Sequence, residues 1–267
     1  MAANMQNLPE NLLLDILSLV PASDLICNCR LICSQWRDLV DLPVLWKRKF
    51  QKRDSDSSPK PLTFYIFSRL KKNLIKNPDG QDGLDSWEIH PVAEGHWQIE
   101  EMFTGESKRF RWKIDEHQIV WLGENDGNAP VQVYKCFAAR NGSCSKSQLI
   151  TLKDEGYWDE LMDEARPIIF VKDWFSGLLD SPYKLTVKLL SADSEVLEEY
   201  PYKTYGVTRW FPVYHAINNY PQGVRHILFE HKWHKEDVVT TCAEMKVSQS
   251  SLTLHAPPTR DWYDDYT

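Results

Sequence analysis

The apolar residues of this chain change their spacing once, and that change divides the molecule. Up to Leu74 they recur at three and four positions, the period of a helix; from about residue 84 they alternate, the period of a strand. In the helical part, Leu12, Leu13, Ile16, Leu17 and Val20 make one broad apolar stripe. Pro9 stands early enough that its missing N–H costs nothing, Asn7 is placed to cap the helix, and Pro21 ends it. Ser23 or Asp24 then caps a second helix, in which Leu25, Cys29, Ile32 and Trp36 share a face. Pro43 punctuates before Val44, Leu45 and Trp46 of a third. Three short helices have little volume in which to hide so many large apolar groups. The remainder is therefore expected to dock on another protein.

Residues 54–61 are polar and proline-punctuated and read as a linker. A further helix follows, with Ile66, Phe67, Leu70 and Leu74 on one side and Arg69, Lys71, Lys72 and Lys76 mostly on the other, stopped by Asn77-Pro78-Asp79-Gly80. Its short apolar face suits packing between domains better than a membrane surface. Beyond it, Phe110, Trp112 and Ile114 alternate with Arg109, Arg111 and Lys113, and Tyr183, Leu185, Val187 and Leu189 alternate as cleanly. Further strands are expected over 97–102, 119–122, 131–137, 148–152, 168–174, 209–216, 224–231 and 245–254, with one helix over 156–165 burying Trp158, Leu161 and Met162. About ten strands and no strand–helix–strand alternation predict an antiparallel sandwich, and with the leading helices an α+β chain.

Charge follows the same division. Residues 1–76 hold 12 Lys+Arg against 7 Asp+Glu, and the remainder 19 against 31. So acidic a larger part argues against nucleic acid as a ligand, and leaves Lys47, Arg48, Lys49, Lys52 and Arg53 as solvated surface or a steering rim. The 6 Cys are too sparse for a disulfide scaffold. No apolar run is long enough to insert into a membrane and no leader opens the chain, so the expected location is the cytoplasm.

Other groupings are weaker. Cys27, Cys29 and Cys33 are close, but residues two apart on a helix face opposite sides; His226, His231 and His234 have no cysteine to complete a zinc set. Asp79, Asp82 and Asp85 lack the spacing and terminal glutamate of a calcium loop. Neither a phosphate-cradling glycine loop nor a nucleophile elbow is found, so no metal, cofactor or catalytic residue is assigned. Asn141-Gly142-Ser143 is a glycosylation sequon, which a cytosolic protein does not present to the transferase, and Asn-Gly is also turn chemistry.

Taken in order, Leu8-Pro9-Glu10, the aliphatic run after it, residues 29–37 (Cys-Arg-Leu-Ile-Cys-Ser-Gln-Trp-Arg) and Leu45-Trp46 resemble an F-box. The resemblance implies binding to the SKP-type adaptor of a cullin–RING ubiquitin ligase, and through it to cullin and RING protein. It also implies that Leu8, Pro9, Leu12, Leu13, Ile16, Leu17, Val20, Leu25, Trp36, Leu45 and Trp46 form or support that interface. The later segments 73–78, 147–150, 155–161, 171–175 and 223–229 resemble the F-box-associated domain of the F-box proteins that bind N-linked sugar chains, a jelly-roll-like sandwich of ten strands. The division this implies is an F-box over 1–53, a linker with its helix over 54–83, a substrate-recognition sandwich over 84–255 and a tail over 256–267.

The resemblance also shows where this chain departs. The family's sugar-contacting Tyr-Trp-Lys triplet aligns with Val238, Val239 and Thr240, and a second aromatic contact aligns with Asn141. Sugar rings stack on flat aromatic faces, and valine offers only small branched ones. The expectation is a non-catalytic receptor that presents a target protein, N-glycosylated or not, for ubiquitination and proteasomal degradation. The rival reading is a free-standing cytosolic lectin or chaperone-like binder.

Overall fold

A computed structural model describes residues 8–50, 62–91, 95–101, 110–115, 118–124, 135–177, 182–205, 210–233 and 245–257. Asn7, residues 131–134, His234 and the triplet Val238, Val239 and Thr240 lie outside them. No helix among the described residues is long and apolar enough to cross a membrane. The chain forms two compact units. One holds the described residues up to Lys72 together with Gly156–Pro167 and 254–257; the other holds those in Asn73–Glu155 and Ile168–Thr253.

In the first unit, α1 (Glu10–Leu19) starts directly after Pro9, whose carbonyl accepts from the N–H groups of Leu12 and Leu13 at 3.0 and 3.1 Å. At its other end Lys49 Nζ donates to the carbonyls of Ser18, at 2.8 Å, and Val20, which places a cation where the helix dipole favours one. Where one second helix was expected, three pieces form: α2 (Ala22–Cys27), a 3-10 turn (Cys29–Leu31) and α3 (Ser34–Val40). Pro21 takes the N-cap position of α2, so Ser23 and Asp24 lie in its first turn rather than capping it. Cys33 is fully extended, with φ −162°, and this breaks the face that Leu25, Cys29, Ile32 and Trp36 were expected to share. α4 (Pro43–Phe50) and α5 (Leu62–Leu70) complete the main run of helices.

Leu13, Leu17, Leu25, Leu45 and Trp46 are fully buried at the centre of this unit, and Trp46 Nε1 donates to the Val40 carbonyl at 2.6 Å. The segment Gly156–Pro167 packs here too. Tyr157 stacks on Phe67 at 5.9 Å and donates its hydroxyl to the Leu70 carbonyl at 3.1 Å, and α6 (Asp159–Ala165) buries Leu161 and Met162. The Arg30 guanidinium lies 4.4 Å from the Trp158 ring while bonding Asp41 through two nitrogens at 3.0 and 3.2 Å.

The second unit is a sandwich of two antiparallel five-stranded sheets. Its strands are β1 (Glu88–Pro91), β2 (His96–Glu101), β5 (Lys135–Arg140), β6 (Cys144–Thr151), β7 (Ile168–Gly177), β8 (Pro182–Leu190), β9 (Val196–Tyr205), β10 (Phe211–Ile217), β11 (His226–Trp233) and β12 (Met245–His255). One sheet has the order β1-β6-β11-β8-β9 and the other β10-β7-β12-β5-β2; β3 (Phe110–Asp115) and β4 (Gln118–Glu124) pair as a separate hairpin. Pro91, Pro201 and Pro212 all fall on edge strands, where a missing N–H breaks no ladder.

Leu74, expected on the α5 helix, lies beyond its end. Its N–H donates instead to the Leu252 carbonyl at 2.8 Å. Asn73 accepts from the N–H groups of Ile75 and Leu252 and donates to the Ser250 carbonyl, so its side chain lays this strip along β12. Gln148 then holds the strip to β6 by exchanging two hydrogen bonds with the Lys76 backbone, at 2.6 and 3.0 Å.

Candidate interaction surfaces

The F-box-like residues separate into two sets. Leu13, Leu17, Leu25, Leu45 and Trp46 are the core of the helical unit; Leu8, Val20 and Trp36 are half-buried, and Pro9 is exposed. On α1, Leu12 is 50% exposed, Ile16 39% and Leu19 78%. Their spacing of i, i+4 and i+7 lines them along one side of the helix, away from Leu13 and Leu17. Leu31, Ile32 and Val44 are exposed as well. Leu19, Leu31, Ile32 and Val44 were not among the interface residues expected from sequence. For Ile32 the reason is local: a continuous helix would have turned it inward, and the extended Cys33 does not permit one.

A second surface follows from strand registers. Trp233, the last residue of β11, pairs with both Cys144, which opens β6, and Tyr183, the second residue of β8; Tyr183 pairs with Thr204 near the end of β9. Met245 at the start of β12 pairs with Ala139 near the end of β5, and Trp97 near the start of β2 pairs with the same residue. Phe211, which opens β10, pairs with Phe175 near the end of β7. The strand ends that flank residues 92–95, 141–143, 178–181, 206–210 and 234–244, five of the seven links between the sheets, therefore lie at one end of the sandwich. Asn141 is the exposed tip of one, with φ 60°; Val238, Val239 and Thr240 belong to the longest. The backbone of the Asn141 turn presses against Gly95, where a Cβ would meet the Ser143 carbonyl oxygen at 2.2 Å.

Inward-facing polar groups lie among the strands at this end. The Asp173 carboxylate, sealed from solvent, accepts from the Tyr183 hydroxyl at 2.5 Å and the Ser250 hydroxyl at 2.9 Å, and pairs with His231 Nε2 at 2.5 Å. Burial and the neighbouring carboxylate push the Tyr183 phenol well above its ordinary pKa, and burial draws His231 down. Lys146 is fully buried with its Nζ 3.2 Å from the ring centre of Trp87, 3.8 Å from Phe137 and 5.4 Å from Trp97. Burial carries it well below the usual lysine value, against the pull of Asp173. Among the described residues Lys146 Nζ, Trp97 Nε1, His231 Nδ1 and Trp233 Nε1 find no hydrogen-bond partner. On the outer face, Arg140 and Lys246 both pair with Glu100, the latter at 2.8 Å.

Closed to solvent, these acid–base groups brace the strand ends. The described residues contain no cluster of three or more side chains suited to a metal. Of the histidines considered as ligands, His231 is bonded to Asp173, and His226 lies 3.1 Å from the Thr151 hydroxyl.

Comparison with known proteins finds matches to both parts of the chain. A family described as "F-box associated region" matches residues 65–254, and one described as "F-box-like" matches residues 5–52. Human F-box only protein 44 is 36% identical over 267 residues, covering 95% of this chain and 98% of its own. Rat F-box only protein 6 is 38% identical over 242 residues, covering 85% and 78%. Among solved structures, TmCBM61 in complex with β-1,4-galactotriose overlays on 69% of this chain and 99% of its own with a TM-score of 0.44 and 13% identity. The chain belongs to the F-box proteins that carry a C-terminal F-box-associated region.

Proposed function

We propose that this protein is the substrate-recognition subunit of an SCF-type cullin–RING ubiquitin ligase. The exposed line Leu12, Ile16 and Leu19 within the F-box match carries the reading: the side chains that leave the helical core are large, apolar and aligned. The helical unit docks on the SKP-type adaptor, which joins it to cullin and RING protein in the cytoplasm. The loop end of the sandwich holds the target. Ubiquitin transfer then follows from proximity, because the receptor raises the effective concentration of target lysines beside the charged enzyme. Degradation of the target by the proteasome is the expected outcome.

The target surface is proposed to read protein side chains rather than the apolar faces of a sugar. Val238, Val239 and Asn141 offer no ring at the positions where the sugar-binding members of the family carry one, and each stacked ring is worth about 1 kcal/mol. Co-purification with the adaptor tests the first half, and a glycan array on the full chain the second. Strong chitobiose binding would overturn the protein-directed reading and leave the adaptor assignment standing.

A further inference from the structure

We propose that Asn141 is a site of spontaneous deamidation. Asn141-Gly142 is the sole Asn-Gly pair in the chain, and it forms the exposed turn between β5 and β6. Two other asparagines have amides held by partners: Asn73 donates to the Ser250 carbonyl, and Asn77 to the carbonyls of Gly83 and Asp85. Among the described residues no hydrogen bond holds the Asn141 side chain. Its following residue has no Cβ to obstruct attack and adopts φ 152°, a conformation that favours glycine.

The reaction needs only water. The main-chain nitrogen of Gly142, having lost its proton to solvent base, attacks Asn141 Cγ. The Cγ–Nδ2 bond breaks, and the nitrogen leaves as ammonia with a proton from solvent. Water then opens the five-membered imide at Cγ, giving aspartate, or at the main-chain carbonyl, giving isoaspartate. Either product places a carboxylate beside Arg140, and isoaspartate also lengthens the turn that presses on Gly95. The conversion changes the surface proposed above to hold the target; that consequence rests on the proposed function, whereas the chemistry does not.

The test is to incubate the full-length protein at neutral pH and body temperature for days, then digest it and follow the peptide from Asn141 to Lys146 by mass and chromatography. The expected result is conversion of this peptide to two acid forms, faster in mild alkali, while the peptides carrying Asn73 and Asn77 keep their amides. Asn141→Gln should abolish it. An Asn141 peptide that stays intact in the native protein would overturn the proposal, whether or not the urea-unfolded chain converts.

Discussion

Lys146 Nζ lies 3.2 Å from the ring centre of Trp87 inside a sandwich where the lysine has no solvent exposure. The aromatic faces of Trp87 and Phe137 stand in for part of the hydration the group gives up. Because the folded pKa lies below that of the unfolded chain, the unfolded chain binds more protons over the interval between them. Stability should therefore rise as pH increases toward the ordinary lysine value. The buried His231, lowered in the same direction, adds a slope of the same sign below neutrality. Urea midpoints from about pH 6 to about pH 8 should climb, below the range where the raised thiols of Cys136 and Cys144 oppose the trend, and Lys146→Met should reduce the climb above neutrality while holding or raising neutral stability by about 1 kcal/mol. A midpoint that falls with pH in the wild type contradicts this.

Asp173 is the acceptor for two hydroxyls and the partner of His231, all buried. Asp173→Ala should cost about 3 kcal/mol, since it strands several polar groups at once, whereas Tyr183→Phe should cost about 1 kcal/mol. Equilibrium urea unfolding followed by tryptophan fluorescence separates the two. Equal costs would mean that the carboxylate is not the hub.

Much of this fold was legible because its strands obey simple alternation. Tyr183, Leu185, Val187 and Leu189 point inward along β8 as their spacing requires. β9 was missed because Pro201 interrupts it, and only its place at a sheet edge makes that tolerable. β1, with four residues, is too short to display a period. The opening of β6, Cys-Ser-Lys-Ser, reads as polar loop, yet all four residues are buried, and nothing local announces that a lysine faces aromatic rings. The exposed apolar side chains of the helical unit were harder still. Periodicity shows which residues are apolar, but the break at Cys33 decides that Leu31 and Ile32 face out while Leu25 faces in.

Restoring the missing rings should restore sugar affinity. The double variant Val238→Tyr, Val239→Trp is expected to gain chitobiose binding by about 1 kcal/mol per ring over the wild type, measured by calorimetry. No gain would mean that the connection between β11 and β12 no longer presents this position to a ligand.

Trp46 and Leu12 both belong to the F-box-like motif, yet they should behave differently. Trp46→Ala opens a cavity in the helical core and removes the hydrogen bond to Val40, so it should cost about 3–5 kcal/mol and lower the thermal midpoint. Leu12→Asp with Ile16→Asp alters side chains that already stand partly in water and should shift the midpoint far less. Thermal unfolding watched by circular dichroism distinguishes them, and a large loss in the double variant would show that α1 needs these side chains for its own packing.

Adaptor binding by that folded double variant is the most direct measurement of the receptor assignment. Wild-type protein should co-elute with the purified SKP-type adaptor on size exclusion, and the Leu12→Asp, Ile16→Asp protein should elute alone with its circular dichroism intact. Undiminished co-elution of the folded double variant, or none with the wild type, would contradict the account.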